Sequence, residues 1–495
     1  MKRFFAALLC TAAVFPALAK ADNAPQGIGP DAARHLLNRT GFAASEAEIQ
    51  TFARLTREQA ADRVLGEARA TAVTPPPPWV TEALPNFRRL KEAPPEERKR
   101  FQQMNVERGL ELREWWYREM LNTPSPLTEK MTLFWHGHFA TSQQKVRVSQ
   151  LMYRQNVTLR RNALGNFAVL VHEMARDPAM VIYLDSAQNR KEQPNENFAR
   201  EVMELFTLGE GNYGERDIKE VARAFTGWSL DRETGEFVFR RGIHDFGTKT
   251  VLGRTGDYDG DAVLDIMLSN PQAAEFIAKK LWREFISDAP DVEEVHRFAR
   301  LFRNSRYDVK TLLRAMLTSD EFYAPENRAA LIKSPVELVV GTLKQFDIEA
   351  PTLRPFVIAG ALLGQNVMSP PNVKGWPGGE TWINSATLLG RKQLLDRLFR
   401  ADDRERFVAR FDDNAERMED RAGREARLQR MMDRSMGNVR VDLDRWSKTF
   451  PEPDRKPAIT RAVLAMAPQN PVKSRTGDVS ELVRQLVADP AYQLK

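Results

Sequence analysis

Cysteine is almost missing from this sequence: Cys10 is the only one among 495 residues. It lies in an apolar N-terminal stretch, and its neighbours Ala7, Leu8 and Leu9 do not form the small-residue context of a lipidated cysteine. If that stretch is a removable leader, the mature chain holds no thiol. Disulfides, thiolate nucleophiles, iron–sulfur clusters and zinc–thiolate sites are then excluded together. Long apolar runs are also lacking. The longest, Phe4 to Phe15, falls short of the roughly 20 residues that a bilayer crossing needs, so no transmembrane anchor is expected. Nor is there an excess of one charge: 73 basic residues face 67 acidic ones, a net of +6, and two of those positives are Lys2 and Arg3. A nucleic-acid binder concentrates far more positive charge on one face, so no nucleic-acid partner is expected. With 42% apolar and 28% charged residues, the composition is that of a globular protein with a sizeable core.

The first 19 residues have the three regions of a secretory signal peptide. Lys2 and Arg3 come first, the apolar run follows, and Ala17-Leu18-Ala19 supplies the small-x-small cleavage pattern. The expected location is therefore periplasmic or secreted. Residues 20–108 read as N-terminal helices, a Pro-rich connector (Pro75 to Pro78) and a charged segment. Ser45-Glu46-Ala47-Glu48 and Thr56-Arg57-Glu58-Gln59 both fit the capping box. Residues 109–400 read as the main helical domain and 401–495 as a charged C-terminal helical region packing on it. The one β signal is local: Glu236 to Arg240 is expected to pair with Lys249 to Leu252 across the loop holding His244. The fold class is all-α, a large multi-helix domain with one small β-hairpin insertion near residues 236–252.

Several motif matches fail on context. Gly209-Glu210-Gly211-Asn212-Tyr213-Gly214 matches G-x-G-x-x-G, but a helix precedes it where a dinucleotide site needs a strand; a helix C-cap and turn is the better reading. Asp257 to Asp261 starts like a calcium loop, yet Ala262 and Leu268 stand where glycine and the bidentate glutamate belong. Asp261 is expected to cap the next helix instead. His172-Glu173-Met174-Ala175-Arg176 has arginine in place of the second zinc ligand. No nucleotide or haem cofactor is indicated.

Three constellations carry possible chemistry. In Phe134-Trp135-His136-Gly137-His138-Phe139, a two-residue step on a continuous helix turns the rings about 200° apart. If Gly137 ends the helix, the two imidazoles could instead converge on a divalent metal, with Glu201 as a third ligand. In the run from Asn195 to Phe206, Glu201 and Glu204 stand at i and i+3, as an acid/base pair or as metal ligands, against an ion-paired polar face as the structural alternative. Asn195, Asn197 and Arg200 are its candidate substrate-binding residues. The third group is His244-Asp245 with Lys249, a common acid/base element on a loop, joined by Trp228, Trp376 and Trp382, whose rings would stack on a sugar or pack in the core.

These stretches, with His35 to Phe42, Glu204 to Gly209, Ala222 to Trp228 and Val373 to Gly379, closely resemble the bacterial domain of unknown function 1800 family over nearly the whole mature chain. The resemblance implies an exported, largely helical protein. It also implies pairing with a second exported family, domain of unknown function 1501. Two functions follow as expectations. One is a hydrolase or polysaccharide-acting enzyme with a cleft built from His136, His138, Glu201, Glu204, His244 and Asp245. The other is a non-catalytic binding or assembly partner of another exported protein or of a cell-surface polymer.

Overall fold

Helix starts coincide with capping side chains. Ser45 and Thr56 accept from the backbone N–H three residues on, and Glu48 and Gln59 accept in return, opening helices Glu46–Ala53 and Arg57–Gly66. The computed structural model describes residues 27–399, 439–472 and 478–495. The leader at 1–19 and most of the charged stretch 401–450 lie outside the described residues. Within them the chain is mainly helical, and no described helix is long and apolar enough to cross a membrane.

The helices close on two apolar cores. Trp135, Phe139, Phe167, Phe206 and Trp282 belong to the first, which also takes in Ala33 and Leu36 of helix Gly29–Thr40. The second gathers Trp116 and Tyr117 of the long helix Pro95–Asn122 with Phe356 of helix Arg354–Leu362. Helices Arg455–Val463 and Val479–Ala488 complete it. Helix Pro126–His138 sits between the two: Leu127, Met131 and Trp135 face the first core and Leu133 the second. Its polar residues Glu129, Lys130, His136 and His138 are consequently buried as well.

The β structure differs from the expected pairing. Phe237–Phe239 pairs backward with Trp228–Leu230, and Lys249–Val251 pairs forward with Arg254–Gly256. Local turn chemistry decides this. The Asp231 carboxylate accepts from the N–H groups of Glu233 and Thr234, folding the first turn. Leu252 and Gly253, both at positive φ (48° and 77°), make the tight two-residue turn of the second. The capping residue of helix Gly260–Ser269 also differs: Asp259 accepts from the Ala262 N–H, while Asp261 binds His172 and Arg176. Gly209, at φ +83°, does sit in the turn just past a helix end. That helix, Glu196–Glu201, runs on into a π-helical turn, Val202–Thr207, a feature often found near functional sites.

Candidate functional site

Helix Pro126–His138 continues through Gly137, so His136 and His138 point to different neighbours. His136 is 1% exposed; its Nε2 accepts from the Met368 N–H at 3.0 Å, and its ring lies between Trp116 and Trp376, with centroids 5.4 and 5.7 Å away. Burial holds it neutral, pushing its pKa down to about 3. His138 is bracketed by the Phe206 carbonyl, 3.1 Å from Nε2, and the Lys280 ammonium, 2.9 Å from Nδ1. The Phe206 carbonyl belongs to the π turn, where Leu208 bonds back to Met203. An ammonium only donates, so Nδ1 accepts and the ring proton is on Nε2. Burial lowers the pKa of His138 well below its ordinary value, and Lys280 lowers it further.

His138 and Lys280 face a cleft of about 260 Å³ that Trp376 and Trp382 also line. The loop carrying Trp376 reaches it through a close backbone approach. A Cβ on Gly375, at φ +76°, would fall 2.1 Å from the Gly137 carbonyl oxygen, so only glycine fits there. The wall is rich in charge. Lys130 is 2% exposed at its side chain and binds Glu337, with Glu284 at 3.3 Å; Lys495 binds the same two carboxylates. Burial pushes both lysines down, most strongly Lys130; the Lys495 ammonium lowers Lys130 further, and Arg39 lowers Lys495 further. Burial would raise Glu284, but the two ammonium groups outweigh it and hold that carboxyl low. Burial, with Arg283 beside it, pushes the Lys280 ammonium down to about 8.

The mouth of this cleft reaches the second constellation. Lys374, a lining residue, lies 3.4 Å from the Glu204 carboxylate, which also accepts from the Tyr213 hydroxyl at 3.1 Å. Glu201 stands beside them, its pKa raised by partial burial and by Glu204. The rest of that helix is occupied locally. Asn195 caps it, accepting from the Asn197 N–H; Asn197 is exposed; Arg200 pairs with Glu215 and Glu196.

Of the third constellation, Trp376 and Trp382 line the cleft, but the His244–Lys249 loop and Trp228 do not. His244 Nδ1 donates to the Thr226 carbonyl at 2.7 Å, and its ring packs edge-on against Phe239 and Phe246. Asp245 binds Arg223 at 2.7 Å, and Lys249 donates to the carbonyls of Asp245 and Gly247 within its own loop. Trp228 packs between Phe225 and Phe237 under Arg176. The six-residue cleft of the sequence reading therefore divides. His138, Trp376 and Trp382 line one cavity, Glu204 and Glu201 edge it through Lys374, His136 lies behind Trp376, and the His244–Lys249 loop stabilises its own fold. The metal set His136, His138 and Glu201 does not converge, because the helix is unbroken and both His138 nitrogens are engaged. No group of three His, Cys, Asp or Glu suited to a metal occurs among the described residues.

Sequence reasoning missed Lys130, Lys280, Glu284, Glu337, Lys374 and Lys495. A weak signal existed for two of them. Lys130 interrupts the apolar spacing of Leu127, Met131 and Trp135, and Lys280 interrupts that of Ile277, Ala278 and Leu281. Charges so placed are either on a narrow polar seam or buried with partners.

No curated protein and no solved structure matches the chain. Residues 35–494 match the family described as "Protein of unknown function (DUF1800)", a span that includes every residue of the cleft except Lys495. Its mainly helical fold, its His136–His138 helix and its Gly375–Trp376 loop are thus those of a chain that belongs to the domain of unknown function 1800 family.

Proposed function

We propose that this is an exported protein whose cleft between Lys280–His138 and the two tryptophans binds an acidic saccharide, such as the end of a cell-envelope polymer. One observation carries this reading. Five cationic side chains (Lys130, Lys280, Arg283, Lys374 and Lys495) and two tryptophans line a single cavity that holds three acidic residues, Glu284, Asp288 and Glu337. Two of those acids are already neutralised by Lys130 and Lys495, and Lys374 pairs with Glu204, which leaves Lys280 and Arg283 against Asp288. The surplus charge suits a carboxylate, and indole rings suit the apolar face of a sugar. Export rests on the leader pattern of residues 1–19.

The test is calorimetric titration with a uronate oligosaccharide and its neutral counterpart. The acidic ligand should bind more tightly. Lys280 is an ammonium below pH about 8 and a neutral amine above it, so affinity should fall as pH rises through that value. Lys280→Met should weaken binding about tenfold and abolish that pH step. Equal affinity for both ligands, or a pH step that survives in Lys280→Met, refutes the reading.

Enzymatic action on such a polymer is the second reading, favoured by Lys280 itself. An ammonium titrating near neutral pH against His138 is suited to giving up a proton. A His–carboxylate pair is not what supports it, since His138 meets a carbonyl and an ammonium.

A further inference from the structure

Four lysines line the cleft, and three of them are paired with acids. Lys130 and Lys495 share the Glu284 and Glu337 carboxylates, and Lys374 pairs with Glu204. Lys280 has no carboxylate within ion-pair distance among the described residues. Its Nζ meets the His138 Nδ1 at 2.9 Å, with the Phe276 ring centroid 5.0 Å away. A buried lysine that is to stay a cation is ordinarily given an acid, as the other three are. Lys280 instead has a neutral imidazole, an apolar ring and the like charge of Arg283 around it, surroundings that favour the free amine.

The geometry suits that amine to attack. The ring proton of His138 sits on Nε2, against the Phe206 carbonyl, so Nδ1 accepts one Lys280 N–H. A neutral amine keeps its lone pair when it donates, and no described residue takes that of Lys280, which lines the cleft. Arg283 follows three residues later on the same side of helix Pro271–Phe285 and lines the cleft too. It is exposed and has no carboxylate partner among the described residues. Asp288, the remaining acid of the wall, lies against Gly379, where a Cβ would sit 3.1 Å from its carboxylate. One helical turn thus presents an amine and, about 5–6 Å away at the level of Cβ, an unpaired guanidinium.

We propose that Lys280 captures the carbonyl group of a small oxo acid as an imine, with Arg283 holding the carboxylate. Nζ attacks the carbonyl carbon, and the C–N bond forms as the C=O π pair moves to oxygen. The oxygen takes up a proton and the nitrogen gives one up. The carbinolamine then expels water as the C=N bond forms, so both hydrogens of the amine leave in that water and no other reactant is needed. The inference concerns the same cleft but goes beyond saccharide recognition and does not rest on it, since no sugar ring is required.

The experiment incubates the full chain with glyoxylate and cyanoborohydride, which reduces an imine to a stable secondary amine, and maps the labelled lysines by peptide mass spectrometry. At pH 8 Lys280 should be labelled at least about tenfold faster than any other lysine, because far more of it is free amine. Its rate should level off above pH about 8, whereas ordinary lysines, with values near 10.5, keep gaining. Glycolaldehyde, which lacks the carboxylate, should favour Lys280 less strongly. Arg283→Leu, an exposed change, should lower the selectivity of glyoxylate to that of glycolaldehyde, and Arg283→Lys, which keeps the charge, should preserve it. Label spread evenly over the lysines, or glyoxylate selectivity that survives Arg283→Leu, overturns the proposal. Failed trapping leaves the saccharide titration untouched, and a failed titration leaves the trapping untouched.

Discussion

The helix that carries His138 is pinned by a buried ion pair whose worth can be worked out. Glu129 and Arg160 are each 1% exposed at the side chain. Arg160 donates from Nε at 2.6 Å and from Nη2 at 3.0 Å, and the Trp116 indole donates to the same carboxylate at 2.7 Å. Arg160→Met keeps aliphatic packing under Trp115, whose ring centroid is 5.1 Å from the guanidinium carbon. It leaves the Glu129 carboxylate buried with a single donor. Breaking such a pair costs about 3–5 kcal/mol. The carboxylate's escape is to take up a proton, and at pH 7, against an ordinary carboxyl value of ~4.3, that costs about 4 kcal/mol, so it sets a ceiling in the same range. Glu129→Leu strands the guanidinium, which has no such escape. The double variant removes both charges and leaves the Trp116 N–H unpaired, a cost of about 1–3 kcal/mol. Urea unfolding followed by far-UV circular dichroism should therefore find the double variant no less stable than either single one. A double variant that loses the sum of the two single losses would refute the argument, as would single losses under about 1 kcal/mol.

The two histidines of this helix should carry opposite tautomers: His136 with its proton on Nδ1, since Nε2 accepts from Met368, and His138 with its proton on Nε2. Nitrogen NMR should find both neutral from pH 5 to 8, because burial depresses both pKa values; a titration of either ring in that window contradicts the geometry. Gly375→Ala should displace the Trp376 loop and abolish ligand binding, because its Cβ would overlap the Gly137 carbonyl at 2.1 Å. Gly137→Ala meets Trp376 only at 3.7 Å and should leave binding intact while adding up to about 1 kcal/mol of helix stability; the reverse ranking in thermal denaturation and binding would be inconsistent with this contact.

What was legible in the sequence was what neighbouring residues decide. Ser45 with Glu48 and Thr56 with Gln59 are complete capping devices within four residues, and the structure uses both. Asp231 and the Leu252-Gly253 pair are equally local, and closer attention to their turn chemistry would have given the strand pairing. The cleft is a different case. Lys130 meets Glu337 across 207 positions of sequence, and Lys495 meets Glu337 across 158. No periodicity joins residues so far apart, and a lysine within an apolar stripe reads the same whether its partner is an acid or water.

Gly137 shows why the metal expectation rested on weak ground. Helical geometry alone turns two imidazoles at i and i+2 away from each other, and their contacts with Met368 and Phe206 follow that rule. Convergence required Gly137 to end the helix, and glycine near a helix end is ordinarily read that way. Here the helix runs through it, and the glycine that the contact requires is Gly375: its Cβ would fall 2.1 Å from the Gly137 carbonyl oxygen, whereas a Cβ on Gly137 would meet Trp376 only at 3.7 Å. A glycine that ends a helix and one that the helix runs through look identical in sequence. The difference determines whether His136 and His138 share a ligand or, as found, His138 alone faces the cleft while His136 supports the tryptophan that lines it.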